Sequence, residues 1–293
     1  MTAYLFYAIL GHIMQKNIKL GIIGLGNMGL SLLDSFPQKD RQKINVYDID
    51  KNKLKSTKGC IKSKNFAELF SSSNVLILAI KPQDIPNFIA INNSYLSQHK
   101  PLLISIAAGI KTSFFEKLIE GIRIVRVMPN LAIKVRKSLS FISGGSFIAK
   151  NDLQTTQEIF SLSGKVIVTN EKQLDKATSI TGSGPGYLFF FMEILYKNAI
   201  RLGFSKDTAK LMVLQTFQGA TSIAKLNKDF ETLMKQVASK NGTTEAAFKV
   251  FKQKNISKII TEGVKAANQR SQGILLELFT QKSCSEKKRK KGI

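Results

Sequence analysis

The sequence predicts an α/β chain in which an N-terminal doubly wound parallel sheet is followed by an all-helical C-terminal domain. Three observations lead there. Short, continuous apolar runs alternate with amphipathic stretches through the first half of the chain. A Gly-x-Gly-x-x-Gly turn joins the first apolar run to the first amphipathic stretch. After about Thr169 the strand-like runs disappear and helical spacing takes over.

The apolar runs come in order at residues 19–24 (KLGIIG), 44–47, 75–80 (VLILAI), 102–107 (LLISIA) and 124–128 (IVRVM). Runs of four to eight residues without polar alternation are the pattern of strands covered on both faces. A helix over 27–36, closed by Pro37, follows the first of them. Strands alternating with helices in this way build a parallel, doubly wound sheet. Residues 138–143 and 165–169 read as further strands toward an edge. Beyond them, 186–202, 206–226, 230–237, 244–251 and 256–278 carry helical spacing. Gly203 is placed to end the first of these helices and Ser205 to cap the next. The domains expected are a Rossmann domain over 18–169 and a helical domain over 170–280, with an extension at 1–17 and a basic tail at 281–293.

The glycine turn carries the first chemistry. Gly24, Leu25, Gly26, Asn27, Met28 and Gly29 directly follow a strand and open a helix, the context a dinucleotide fingerprint requires. Gly24 permits the tight turn, Gly26 lets a pyrophosphate approach the helix N-terminus, and Gly29 allows close helix–strand packing. Asp48 ends the second strand roughly 20 residues on, where a carboxylate accepts hydrogen bonds from the adenosine ribose hydroxyls. The competing reading is that Asp48 or Asp50 caps the helix starting near Lys51. A carboxylate disfavours a 2′-phosphate, whereas Lys51 and Lys53 would attract one. NAD is slightly favoured and NADP stays open.

Other turns fall at the same carboxyl edge, where open sheets hold ligands. Ala79, Ile80, Lys81 and Pro82 leave one strand. Ala107, Ala108 and Gly109 leave the next, small enough for a nicotinamide ring to lie against the backbone. Asn130 follows Met128 and Pro129 after the strand at 124–128. In the helical half, Ser239, Gly242, Thr243 and Thr244 stand at a helix start, where hydroxyls and free N–H groups make an anion site. A plain helix cap is the competing reading there.

The composition sets limits. Hydrophobic residues make up 43% of the 293 and charged residues 22%, enough to bury a sizeable core. No apolar run approaches the ~20 residues that span a bilayer. The extension at 1–17 lacks a basic start and a small-x-small cleavage pattern, so it does not read as a signal peptide. Cys60 and Cys284 form no disulfide framework and no metal spacing, which fits a cytoplasmic setting and no metal. The net charge of +24 comes from lysines scattered along the chain. The run Lys287, Lys288, Arg289, Lys290, Lys291 has no interleaved aromatics and reads as a solvated tail rather than a nucleic-acid site. His12 lies in the extension and His99 in a loop before Pro101, so neither is placed to be a proton-donating histidine.

Several separated stretches, in order, resemble the pyrroline-5-carboxylate reductase family. They are GIIGLGNMG (21–29), LAIKPQDI (78–85), ISIAAGI (104–110), IVRVMPN (124–130), TGSGPGYLFFFMEIL (181–195), LQTFQGA (214–220) and NGTTEAAFKVF (241–251). The resemblance spans residues 19 to about 270. It implies hydride transfer from NADPH or NADH to the C=N carbon of Δ1-pyrroline-5-carboxylate, giving L-proline, the last step of proline biosynthesis. It also implies that residues 24–29, Ala79 to Pro82 and Ala107 to Gly109 hold the coenzyme. Ser239, Gly242, Thr243 and Thr244 would clamp the substrate carboxylate, with the Thr244 hydroxyl near the ring nitrogen as catalytic candidate. The helical domain would form an intertwined homodimer or a higher homo-oligomer.

Two alternatives stand beside this. Where the family commonly has Ser-Pro-Gly-Gly, this chain has Ser239-Lys240-Asn241-Gly242, which motivates a non-catalytic, regulatory dinucleotide-binding relative. A 3-hydroxyacid dehydrogenase shares a similar glycine turn but needs a Lys and an Asn at the start of its second domain. The stretch Gly184-Pro185-Gly186-Tyr187-Leu188-Phe189-Phe190 has neither.

Overall fold

A computed structural model of the chain describes residues 18–226 and 229–272. The extension at 1–17, the basic tail at 281–293, and the end of the helix expected to run to residue 278 lie outside the described residues.

Eight strands form one sheet: β1 (Leu20–Ile23), β2 (Asn45–Tyr47), β3 (Ile61–Lys62), β4 (Val75–Leu78), β5 (Leu102–Ser105), β6 (Arg123–Met128), β7 (Ser138–Gly144) and β8 (Gly164–Val168). Their order across the sheet is β3-β2-β1-β4-β5-β6-β7-β8. β1, β4 and β5 are buried along their whole length, as continuous apolar runs require. The pleat deals alternate residues to two cores. Ile22, Ile77, Ile104 and Val125 join one, while Ile23, Leu76, Leu103 and Ile124 join the other. β1 pairs in parallel with β2 on one side and β4 on the other, so the chain winds outward in both directions from β1.

Two features depart from the sequence-based expectation. β3 is an exposed edge of two residues, too short to show a period. β7 runs antiparallel to β6. The link 129–137 holds only the 3₁₀ turn Leu131–Val135, and a parallel partner would need a crossover of about a dozen residues or more. The helix Lys150–Ser161 then supplies such a crossover, and β8 pairs in parallel with β7.

The chain divides into two compact units at Ser183/Gly184 and again at Ala266/Ala267. Strands do end near 169, where the sequence placed the domain boundary. The helix Glu171–Ala177 and the π-turn Thr178–Gly182 nevertheless belong to the sheet unit, with Leu174 and Asp175 buried. The chain comes back to this unit at its far end, where the Ser271 hydroxyl donates to the Asp175 carbonyl at 3.2 Å.

The helical unit contains the helices Gly184–Arg201, Lys206–Ala224, Phe230–Val237 and Thr243–Gln253, followed by helix from residue 256. Gly203 sits at φ 94° between the first two. Ser205 caps the second, its hydroxyl accepting the Thr208 N–H at 3.2 Å. Ala199, Ala209 and Val213 are buried, but Phe189, Phe190, Leu211, Leu214 and Ile259 are half or more exposed. Large apolar side chains left exposed in this way suit association with another surface.

Candidate active site

The register of the sheet brings the predicted coenzyme residues to one edge. Ile23 is level with Tyr47 and with Leu78, and Leu78 with Ser105. The turns after β1, β2, β4 and β5 therefore leave the sheet side by side.

The glycine turn is built as its spacing requires. Gly24 sits at φ 96°, and a Cβ there would meet the Ala79 carbonyl oxygen at 2.7 Å. Its N–H donates to the Tyr47 carbonyl at 2.8 Å, while the Ala79 N–H donates to the Ile23 carbonyl at 2.8 Å. Gly29 lies in the first turn of the helix Asn27–Ser35, where a Cβ would fall 1.9 Å from the Gly24 carbonyl oxygen. Only a residue without a side chain lets the helix approach that closely. A Cβ on Gly26, by contrast, would meet nothing within 4 Å. The space before this helix is open, and its first N–H groups have no intrahelical acceptors. That cradle fits the pyrophosphate of a dinucleotide.

Of the two aspartates between which the sequence left the capping role open, Asp50 takes it, accepting from the N–H groups of Asn52 at 2.9 Å and Lys53 at 3.4 Å. Asp48 is buried, and its Oδ2 accepts from the Leu25 N–H at 2.6 Å while Oδ1 accepts from the Asp50 N–H at 2.8 Å. It thus ties the end of β2 to the glycine turn. Gly24, Tyr47 and Asp48 line a cavity of about 160 Å³ together with Phe66, Phe88 and Asn92.

Along the same edge, Ala79 and Ile80 are half-buried, Lys81 is exposed, and Pro82 opens the short 3₁₀ helix Pro82–Asp84. Ala107 is buried, Ala108 is half-buried, and Gly109 turns the chain at φ 74°. Asn130 cross-links its surroundings. Its Nδ2 donates to the Thr181 carbonyl at 3.0 Å, and its Oδ1 accepts from Ala132 N–H at 3.1 Å. It thereby ties the turn after β6 to the π-turn Thr178–Gly182, a local geometry frequent at functional sites. His99 ends the helix Ile85–His99 rather than standing in a loop. It precedes β5 and so lies toward the opposite edge from the glycine turn.

One buried charge escaped the sequence reading. Arg126 sits in β6 at 2% exposure, among the most buried large side chains. Its Nη2 donates to Asp175 at 2.7 Å and its Nη1 to Glu171 at 3.5 Å. Glu171 also accepts the Thr112 N–H at 2.8 Å. The network binds the helix Glu171–Ala177 to the sheet and to the segment after Gly109. The available signal was a lone cation inside an apolar strand, since a buried charge demands partners.

In the helical unit, Ser239, Gly242, Thr243 and Thr244 form a single turn at the start of the helix Thr243–Gln253, with Gly242 as its cap residue. The Gly242 N–H donates to the Ser239 carbonyl at 2.9 Å, and a Cβ on Gly242 would meet Ser239 Oγ at 2.5 Å. Asn241 takes the left-handed conformation, φ 59°, which Asn tolerates better than most residues. The Glu245 carboxylate reaches back to the Asn241 N–H at 2.6 Å and closes the turn. Thr244 is half-buried and Thr243 exposed. Helix geometry leaves the N–H groups of the first turn without intrahelical acceptors, the feature by which helix N-termini receive anions.

Among the described residues no cluster of His, Cys, Asp and Glu stands ready for a metal, and no helix is long and apolar enough to cross a membrane.

Comparison with known proteins agrees with both units. Residues 171–274 match the family model for pyrroline-5-carboxylate reductase dimerisation, and residues 19–109 match that for NADP oxidoreductase, coenzyme F420-dependent. A pyrroline-5-carboxylate reductase of Methanosarcina acetivorans is 31% identical over 88% of this chain and 98% of its own length. Pyrroline-5-carboxylate reductase 2 of Bacillus subtilis is 29% identical over 86% of this chain and 94% of its own. The crystal structure of Plasmodium falciparum pyrroline carboxylate reductase with NADP bound superposes with a TM-score of 0.81 at 26% identity, covering 88% of this chain and 98% of that one. The Coxiella burnetii pyrroline-5-carboxylate reductase gives a TM-score of 0.77 at 30% identity over 88% of this chain and 98% of its own. Likeness of this degree along nearly the full length of these relatives means that the chain belongs to the pyrroline-5-carboxylate reductase family.

Proposed function

We propose that this chain is an NAD(P)H-dependent oxidoreductase in which the reduced nicotinamide coenzyme supplies hydride to the C=N carbon of Δ1-pyrroline-5-carboxylate, with L-proline as product. The observation that carries the reading is the open cradle over Gly26 at the carboxyl edge of the sheet, in a chain of this family.

Gly24 to Gly29 hold the pyrophosphate against the helix N-terminus. Ala79 to Pro82 line the coenzyme, and the small side chains of Ala107 and Ala108 leave room beside Gly109 for the ring. Asn130 keeps the adjoining turn in place. Ser239, Gly242, Thr243 and Thr244 receive the substrate carboxylate, and the Thr244 hydroxyl sits at the ring nitrogen. A protonated imine is already electrophilic, so the reaction asks less of a proton donor than ketone reduction does. That accords with His99 lying away from the glycine turn. A second copy of the chain covers the exposed apolar faces of the helical unit, making at least a homodimer, and the setting is cytoplasmic.

The test is NADH and NADPH oxidation by the purified protein, with and without Δ1-pyrroline-5-carboxylate, with product proline measured directly. Substrate-dependent turnover that falls at least about tenfold in Thr244→Ala supports the proposal. Clear dinucleotide binding without turnover would favour the regulatory relative instead.

A further inference from the structure

We propose that this chain selects NADH over NADPH and that Asp48 is the residue that decides the choice. The inference rests on the reading above, in which the sheet unit holds a nicotinamide dinucleotide.

Two backbone donors fix the carboxylate. Asp48 is 9% exposed, and each of its oxygens accepts a backbone N–H, one from Leu25 in the glycine turn and one from Asp50. It cannot swing away without releasing the turn. It nevertheless lines the cavity beside Gly24, and each carboxylate oxygen retains a further lone pair. A ribose 2′-hydroxyl can donate to it. A 2′-phosphate has no proton to offer there, and brings a charge of about −2 against a fixed negative group.

The cavity lining itself supplies no compensation, and the nearby Lys51 and Lys53 are exposed and lie outside it. The other carboxylate lining this cavity is that of Asp84, and no Lys or Arg is among its lining residues. Position 49, next to the carboxylate and 83% exposed, is an isoleucine where a cation would be needed. Lys53 stands 3.7 Å from the Asp50 carboxylate, which already offsets its charge. Discrimination of this kind works by placing a repulsive group against the wrong ligand.

Dissociation constants for NADH and NADPH, from nicotinamide fluorescence and calorimetry, decide the matter without reference to turnover. NADH should bind at least about tenfold more tightly, and 5′-AMP should compete where 2′,5′-ADP does not. Asp48→Asn removes the charge and keeps an acceptor for the Leu25 N–H. It should bring the two constants to within about threefold, mainly by improving NADPH. Should that variant lose its fold, Ile49→Arg adds a cation at an exposed position and should narrow the ratio in the same direction. NADPH binding as tightly as NADH in the unaltered protein, or a ratio that neither variant moves, overturns the assignment while leaving the reductase reading intact. Failure to bind either coenzyme overturns both.

Discussion

Arg126 Nη2 lies 2.7 Å from Asp175 Oδ1, a buried ion pair between a central strand and a helix 49 residues further along the chain. Both partners are at least nine-tenths buried, so the attraction is poorly screened and neither charge has water to fall back on. Removing one partner leaves the other stranded. Arg126→Met should cost about 3–5 kcal/mol in urea unfolding. Pairing it with Asp175→Leu should cost less than the sum of the two single changes. A loss below about 1 kcal/mol for Arg126→Met would mean that the pair holds nothing together. Through Glu171 and the Thr112 N–H the same network fixes the segment following Gly109, so coenzyme affinity should weaken along with stability.

The two glycines of the turn should fail in different ways. Gly29→Ala puts a methyl group 1.9 Å from the Gly24 carbonyl oxygen, and backbone must move. A destabilisation of about 1–3 kcal/mol is expected, typical of an overpacked site. Gly26→Ala meets open space. It should melt close to the unaltered protein yet bind coenzyme at least about tenfold more weakly, because the methyl group occupies the approach of the pyrophosphate. Thermal melts and coenzyme titrations on both variants separate the effects. Equal melting and equal affinity for the pair would remove the cradle from the site.

The fold was legible in the sequence wherever one local rule sufficed. The run LGII of β1 is buried on both faces and reads so directly. Strand direction is not written in such a pattern, and the antiparallel β7 follows only from the shortness of the link 129–137. The candidate site divides the same way. Gly24, Gly26 and Gly29 announce themselves by spacing. Asp48 was visible as a carboxylate ending a strand, but its bond to Leu25, 23 residues earlier, needed the sheet register. Arg126 lay hidden inside IVRVM because its partners, 45 and 49 residues on, sit in a helix with no marker linking it to the strand.

The turn at residues 239–244 carries a prediction of its own. Glu245 holds the Asn241 N–H at 2.6 Å, and Asn241 is in the left-handed region at φ 59°. This carboxylate braces the turn from within the helix, where the family's proline and second glycine are absent. Glu245→Ala should release the turn and raise the KM for Δ1-pyrroline-5-carboxylate by roughly tenfold, the scale of one lost charge-assisted hydrogen bond. The dissociation constant for coenzyme should not move. A shift in coenzyme affinity, or an unchanged KM, would show that the brace does not serve the substrate.

Cys60 offers a check on the sheet unit that is independent of catalysis. Burial pushes its thiol above the ordinary cysteine value, and the nearby Lys62 and Arg41 pull it down without cancelling that effect. A raised value means less thiolate at any given pH, and the thiolate is the reacting form. Near pH 8, Cys60 in the folded protein should therefore alkylate at least about threefold more slowly than in the urea-unfolded chain. The difference should shrink as the pH rises past the folded value, where burial no longer withholds the thiolate. Peptide-resolved mass spectrometry distinguishes Cys60 from Cys284. Labelling of Cys60 that is faster in the folded state would mean that the two cations, rather than burial, control this thiol.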